Sequence, residues 1–297
     1  MNLIKGKDVL AEDNNKNISN SSPTQSNKFL SFITRLISGL FLIVITFVVL
    51  YKGGNLLFLT CALLSICALV ELYRVFELAN SRIAIIGYMF TIFYYLILSK
   101  YESRTAILLY LIVILLLFLT FYVFSYPKFN IKQISMIIFS LIYISITFSF
   151  IYLIREKNDY GKYLVWMIFI CSWGCDTFAY CFGMLFGKHK LSPILSPNKT
   201  IEGAIGGIIG ASTLGIIYIY IIFNKLIIEN PFSLVRVGVA CGVGAIISML
   251  GDLTASAIKR DYNAKDFGNL IPGHGGILDR FDSVIFAAPA LYFILTI

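Results

Sequence analysis

The sequence predicts an all-α integral membrane protein, a polytopic helix bundle with about nine transmembrane helices. Apolar residues make up 58% of the 297 residues and charged residues only 13%, about half the charged fraction of a soluble domain. Apolar runs of about 20 residues, the length with which a helix crosses the bilayer core, recur along nearly the whole chain. The alternating pattern of a transmembrane β-barrel is absent.

Nine runs qualify as spans, and a helix suits each of them because it satisfies its own backbone hydrogen bonds within lipid. Ile, Phe and Tyr are abundant and favour strands by propensity, but runs of this length indicate helices rather than strands. Residues 1–28, which come before the first apolar run, are rich in Asn, Ser and Lys, and we expect a disordered cytosolic tail there. Residues 29–297 then form one membrane domain. The runs are centred on Phe41, Leu63, Phe90, Ile114, Ser145, Cys175, Gly215, Cys241 and Ala288.

The number of spans and the distribution of basic residues predict the orientation. With nine spans, the N-terminal tail shares a side with the loops after spans two, four, six and eight. Two thirds of the 24 Lys and Arg residues fall on that side, and the positive-inside rule makes it cytosolic. Residues 188–200 and 259–278 then both face the cytosol and can meet. Because topology accounts for the net charge of +8, we expect no nucleic-acid partner.

Small residues recur along predicted spans seven and eight. Gly203, Gly207 and Gly210 lie in the first of these, and Gly238 and Gly242 in the second, a spacing that lets helices approach closely. We expect ordinary packing within the bundle, and the same faces also suit a homodimer.

Acidic residues inside or at the edge of a membrane span are costly, so each needs a reason. At the end of span eight, Asp252 has Ser248 and Ser256 four residues before and after it, which places a carboxylate and two hydroxyls on one helical face. Lys259 continues that face. In span six, Asp176 lies deep in an apolar run.

The segment 259–282 holds eight charged residues and His274 between two spans, far more than a turn requires. Three glycines around His274 allow the close approach with which backbone amides cradle a phosphate. Asp279 and Asp282 fall three residues apart on one face at the predicted start of span nine. Their oxygens suit Mg²⁺, which also binds substrate phosphates. The segment therefore predicts a site for metal ions and phosphate.

The stretch between spans six and seven adds polar groups on the same predicted side of the membrane. Together with the segment 259–282, it predicts a site for a polyanion. Its polar side chains are those of Lys188, His189, Lys190, Ser196, Lys199, Thr200 and Glu202.

Simpler interpretations stay open for several of these residues. Basic side chains beside membrane spans anchor to anionic lipid headgroups, and polar side chains at the start of a helix often cap it. The first applies to Lys188, Lys190, Lys259 and Arg260, and the second to Ser196, Thr200 and Glu202. Farther upstream, Glu71, Arg74 and Glu77 are expected at a solvated helix end.

The C-terminal motifs resemble the signature of the phosphatidate cytidylyltransferase (CDP-diacylglycerol synthase) family. They read SAIKR at 256–260, KDFG at 265–268 and PGHGGILDRFD at 272–282. Motifs upstream are similar to the same family and read DTFAY at 176–180, GKHK at 187–190, SPNKTIEG at 196–203 and, before span one, TRLIS at 34–38. The resemblance is specific over the C-terminal part of the chain and otherwise rests on hydropathy.

The resemblance implies one catalytic membrane domain, with its signature at 252–282, in which CTP and phosphatidic acid form CDP-diacylglycerol and pyrophosphate in a lipid bilayer. Phosphatidic acid already carries an anionic oxygen, so we expect positioning and charge neutralisation to dominate over general-base catalysis. Mg²⁺, alone or with a second cation, is expected on Asp252 and Asp279, with Asp282 and Asp176 as further ligands or supporting groups.

The remaining polar residues receive roles in the same hypothesis. Catalytic groups that neutralise the triphosphate and pyrophosphate, or donate to a phosphate oxygen, are Lys259, Arg260, Lys265, His274 and Arg280. Groups that bind substrate are Lys188, Ser196, Lys199, Thr200, Ser256, Gly275 and Gly276.

Two alternatives stay open at this point. A CTP-dependent polyprenol or phytol kinase is expected to share the scaffold while it transfers the terminal phosphate. An ion-coupled transporter, from a different class, also places carboxylates within spans, although the basic, glycine-rich loop speaks against it. The membrane is expected to be a bacterial inner membrane or, alternatively, that of an organelle.

Overall fold

The structure, a computed structural model, describes residues 25–100, 104–157, 159–226 and 233–296. Nine helices account for most of the described residues, and each predicted span centre falls within one of them. The all-α prediction is confirmed. The helices are α1 (Gln25–Lys52), α2 (Gly54–Val75), α3 (Arg82–Lys100), α4 (Arg104–Ser125), α5 (Ile131–Glu156), α6 (Gly161–Phe186), α7 (Ile201–Leu226), α8 (Leu234–Asp261) and α9 (Leu278–Thr296).

Seven helices in the described ranges are long and apolar enough to cross a membrane, and α4 and α9 are not among them. The apolar part of α4 is the shorter stretch Leu109–Ser125, and α9 begins with the charged Asp279, Arg280 and Asp282. Most of the predicted N-terminal tail, residues 1–24, lies outside the described residues.

Two helices contain a wider, π-helical turn. In α5 it covers Leu141–Ile146, and in α6 it covers Ile170–Gly174. Such turns are rare and often occur at functional sites. The turn in α6 lies directly before Cys175 and Asp176.

The glycines of α7 bring it into close contact with α6 and α8. A Cβ atom at Gly203 would lie 2.7 Å from the carbonyl oxygen of Ala179 in α6, and one at Gly215 would lie 2.2 Å from Sγ of Cys241 in α8. The glycine-rich face therefore packs within the chain, as the spacing predicted. The homodimer stays a prediction.

A short β-hairpin that the sequence did not predict connects α6 to α7. Its strands, β1 (Lys190–Ser192) and β2 (Ser196–Thr200), pair in antiparallel fashion. At the end of β2, the hydroxyl of Thr200 accepts a hydrogen bond of 3.1 Å from the amide of Gly203 and so caps the start of α7. Thr200 therefore has the helix-capping role that was the simpler of its two interpretations.

Candidate active site

A cleft of about 520 Å³ opens where α6, the hairpin, α7 and α8 meet. This volume is typical of sites for small molecules. The lining combines polar groups from α6, the hairpin and α8 with carbon surface from α6 and α8. The polar groups belong to Asp176, Ser196, Asn198, Lys199, Thr200 and Asp252, and the carbon surface to Ala179, Tyr180, Met184 and Met249.

Lys199 and Asp252 join the hairpin to α8 at this cleft. Nζ of Lys199, on β2, forms an ion pair with Oδ2 of Asp252, on α8, although the residues are 53 positions apart. Both side chains retain 27% exposure, so the pair is accessible from the cleft. The stretch between α6 and α7 therefore meets a residue upstream of the segment 259–278, and a direct meeting with that segment stays a prediction.

A second ion pair lies deeper, at the start of α9. Nζ of Lys259 lies 2.8 Å from Oδ1 of Asp279, and the two side chains are only 14% and 4% exposed. The other oxygen, Oδ2 of Asp279, accepts hydrogen bonds from the amides of Phe267 (2.8 Å) and Gly276 (3.0 Å). Asp279 thus holds two points of the loop that follows α8, one within it and one near its end. Gly275, directly before Gly276, has a φ of +87°, a conformation that favours glycine.

Glu71 supports the same loop from α2, and the expectation of a solvated helix end is wrong for this residue. Its side chain is fully buried, and its two oxygens accept hydrogen bonds of 2.9 Å each from the amides of Ile277 and Leu278. A Cβ atom at Gly276 would lie 2.5 Å from the carboxylate. A buried anion is stabilised here by the unpaired amides at a helix N-terminus.

Arg74 and Glu77, the other two residues of that group, are exposed as expected. The difference is positional, because Glu71 lies one turn earlier on α2, on the face that meets the loop.

His274 is held against α1 by a residue that the sequence did not single out as part of a site. Oγ of Ser38 lies 2.8 Å from Nδ1 of His274 and 2.9 Å from the carbonyl oxygen of Pro272. Nε of Arg280 donates to the carbonyl oxygen of His274 at 2.8 Å. Partial burial, together with the charges of Arg280 and Arg35, lowers the pKa of His274. The ring is therefore neutral at pH 7 and offers one donor and one acceptor.

Asp282 lies beneath the first turn of α9 and is 6% exposed. Its Oδ1 accepts a hydrogen bond from the amide of Ser283 at 2.7 Å, and Asp252 and Asp176 lie within electrostatic range of it. Two buried hydroxyls in the adjoining helices, those of Ser248 and Tyr143, have no hydrogen-bond partner among the described residues. This part of the site therefore contains several carboxylate and hydroxyl oxygens but few groups that could donate a hydrogen bond to them.

The carboxylate oxygens of the site are the type of ligand that a divalent cation such as Mg²⁺ prefers. In the described part of the chain, no three His, Cys, Asp or Glu side chains lie close enough to hold a metal ion by themselves. Mg²⁺ commonly binds through one or two carboxylates together with substrate phosphates, and Asp176 and Asp252 face the cleft in a way that suits this mode. Asp279 is less available, because both its oxygens already accept hydrogen bonds.

Four other predicted site residues take no part in the two ion pairs. Lys188, Arg260 and Lys265 are exposed, and none of them forms an ion pair with a described carboxylate. Ser256 is half-buried on α8 between Asp252 and Lys259. The backbone amide of Lys188 donates to Oε2 of Glu202 at 3.1 Å, so the first turn of α7 positions the backbone of this residue while its side chain is exposed.

Besides Ser38, sequence reasoning missed three contributors to the site. Asn198 and Tyr180 line the cleft, and both lie inside motifs that were quoted without a role for these residues. Glu71 had a usable signal, since a carboxylate within an apolar span is costly unless it has a partner.

Comparisons with known proteins identify the family of this chain. The model of the cytidylyltransferase family matches residues 33–297. A phosphatidate cytidylyltransferase of Bacillus subtilis (strain 168) is 39% identical over 182 residues, which are 61% of this chain and 65% of that protein. Phosphatidate cytidylyltransferases of Staphylococcus haemolyticus (strain JCSC1435) and Staphylococcus aureus (strain COL) are 34% and 33% identical, and each match covers 88% of this chain and 98% of the relative.

The match extends from α1 to the end of the chain and so includes every residue of the cleft and of the loop before α9. This chain belongs to the cytidylyltransferase family.

Proposed function

We propose that this protein is a phosphatidate cytidylyltransferase, which transfers the cytidylyl group of CTP to phosphatidic acid. The observation that carries the proposal is the Lys199–Asp252 pair, which brings the basic hairpin to a carboxylate of α8 at a cleft of suitable size. The names of the relatives support the same reaction.

In this reaction a phosphate oxygen of phosphatidic acid attacks the α-phosphorus of CTP. The new bond joins that oxygen to the α-phosphorus, and the bond between the α-phosphorus and the bridging oxygen breaks, so that pyrophosphate leaves with its electron pair. The products are CDP-diacylglycerol and pyrophosphate. The attacking oxygen is already anionic, which makes a general base unnecessary, and charge neutralisation is the main task of the protein.

The residues of the cleft are suited to that task. Lys199, with the hydroxyls of Ser196 and Thr200, would bind the triphosphate, and Lys259 would stabilise charge at the start of α9. Asp176 and Asp252 would hold Mg²⁺, which neutralises phosphate charge and polarises the phosphorus when it is bound. The exposed Arg260 and Lys265 would attract the nucleotide from solution.

The protein is an integral membrane protein with several spans, and its bacterial relatives support a bacterial inner membrane. We further propose that the N-terminus and the cleft face the cytosol, where CTP is available. The excess of basic residues on that side supports this orientation.

The test is a product analysis with purified protein in detergent. With CTP, dioleoyl phosphatidic acid and Mg²⁺, we expect pyrophosphate and CDP-diacylglycerol in equal amounts, and no reaction when the lipid is omitted. Release of CDP with a polyprenol or phytol as acceptor would instead identify a CTP-dependent kinase. Ion flux across liposomes without nucleotide turnover would identify a transporter.

A further inference from the structure

An apolar groove of about 290 Å³ lies between α1 and the helices α2, α5, α6 and α9. Its walls are almost wholly carbon. Phe41 and Ile45 line it from α1, Leu57 and Leu64 from α2, and Phe281 from α9. Such a surface has no means to bind a nucleotide, but it matches a hydrocarbon chain.

One end of the groove is polar and positively charged. Ser38 and Pro272 form its rim, and His274 lies directly behind them, 2.8 Å from Ser38. Arg35 lies against Gly273, since a Cβ atom there would be 2.8 Å from Cγ of the arginine.

Arg280 completes this rim through its hydrogen bond to the carbonyl oxygen of His274. Both Arg35 and Arg280 are exposed. Neither is paired with a carboxylate in the ranges that the structure describes, so their guanidinium groups can bind an anion.

Helix α6 connects this rim to the catalytic cleft. Phe169 lines the groove, and its ring lies 4.9 Å from that of Trp173. Nε1 of Trp173 donates to the carbonyl oxygen of Arg280 at 3.5 Å, and Asp176, three residues farther along, lines the cleft. Helix α6 therefore contacts the backbone of Arg280 at the rim and also lines the cleft with a residue three positions farther along.

We propose that the groove binds one acyl chain of phosphatidic acid, while Arg35, His274 and Arg280 bind its phosphate. This inference rests on the proposed function and adds the location of the lipid. A phosphate monoester carries about −1.5 to −2 charges at pH 7, and a planar guanidinium group binds it through paired hydrogen bonds. The long, mostly exposed α1 leaves the groove open to the bilayer, so that the second acyl chain stays in lipid.

Substitution of a groove residue by a larger one tests the acyl-chain part. Leu64→Trp fills the groove, whereas Leu63→Trp adds the same side chain at a position that is 63% exposed on the outer face of the same helix. We expect Leu64→Trp to raise the KM for dioleoyl phosphatidic acid by about tenfold and to leave the KM for CTP unchanged. The KM for dibutyryl phosphatidic acid should change little, because its chains are too short to fill the groove. Leu63→Trp should resemble the wild type for both lipids.

Substitution at the rim tests the phosphate part. Arg35→Gln should raise the KM for both the long-chain and the short-chain lipid by about tenfold, with no effect on the KM for CTP. Equal KM values in Arg35→Gln and the wild type would remove the arginine from the site.

A direct measurement keeps the proposal testable if a variant fails to fold. Phosphatidic acid with a diazirine at the end of one acyl chain is irradiated with wild-type protein, and we expect labelled peptides from α1, α2 and α9. Labelling confined to other helices would overturn the proposal. Labelling of the groove in a protein that shows no CTP-dependent turnover would refute the proposed function but retain a phosphatidate site.

Discussion

Oε2 of Glu71, in α2, accepts a hydrogen bond of 2.9 Å from the backbone amide of Leu278, the first residue of α9. A carboxylate from one helix thus caps the N-terminus of another, where the helix dipole favours negative charge. Asp279 follows Leu278 directly, so the position of the Lys259–Asp279 pair depends on this contact. Glu71 is buried and remote from the cleft opening, yet it supports the charged loop.

Glu71→Gln should lower both stability and activity. The glutamine side chain has only one acceptor oxygen, which can bind one of the two backbone amides of Ile277 and Leu278. Its NH₂ group would face the other backbone amide, so that two donors oppose each other. Leaving one buried donor unpaired costs about 1–3 kcal/mol. We expect a lower melting temperature in detergent and slower pyrophosphate release. Glu77→Gln, at an exposed position near the end of the same helix, is the control, and an equal loss in both variants would contradict the capping role of Glu71.

Lys259→Met should reduce activity by about 100-fold, a typical effect of removing one charged or hydrogen-bonding group from a catalytic site. It should also reduce stability, because Asp279 would be left buried without its cation. The double variant Lys259→Met with Asp279→Asn should recover part of the melting temperature without recovering activity.

Lys128→Met, at an exposed position before α5, is the control for these variants. Recovery of activity in the double variant would show that the pair has only a structural role.

Gly276→Ala should destabilise the loop before α9. The added methyl group would lie 2.5 Å from Oε2 of Glu71, which is too close, and overpacking of this kind costs about 1–3 kcal/mol. Gly174→Ala is the matched control, since its methyl group would lie 3.6 Å from its nearest neighbour, in ordinary contact. The melting temperatures of the two variants, measured in one detergent, should differ, and equal values would argue against close packing at Gly276.

Asp252→Asn should weaken the binding of Mg²⁺ to the enzyme and lower its rate. The amide binds a hard cation less well than a carboxylate does, so more Mg²⁺ should be needed for half-maximal release of pyrophosphate. A chelator should abolish the activity of the wild type. Asp159→Asn, an exposed position before α6, should leave the Mg²⁺ titration unchanged. An unaltered titration in Asp252→Asn would remove this residue from the metal site.

The helices were predictable because each depends on information that is local in the chain. Apolar runs of sufficient length form helices in lipid regardless of their neighbours, and all nine predicted centres lie in helices. The close packing of α7 followed from its glycine spacing for the same reason. The hairpin before α7 was not predictable in this way, since its two strands are short and polar and depend on Glu202 and Thr200 to hold them.

The sequence by itself determined the class of the protein and the chemical character of its site, because composition, hydropathy and motifs are properties of the chain alone. It indicated that Asp176, Lys199, Asp252 and Asp279 carry chemistry, but not which of them are partners. Only the tertiary structure decided that Lys199 pairs with Asp252 and Lys259 with Asp279, and that Glu71 is buried beneath the loop. Pairing and burial depend on how helices distant in sequence pack together, and the free energy of a buried charge is set by those neighbours.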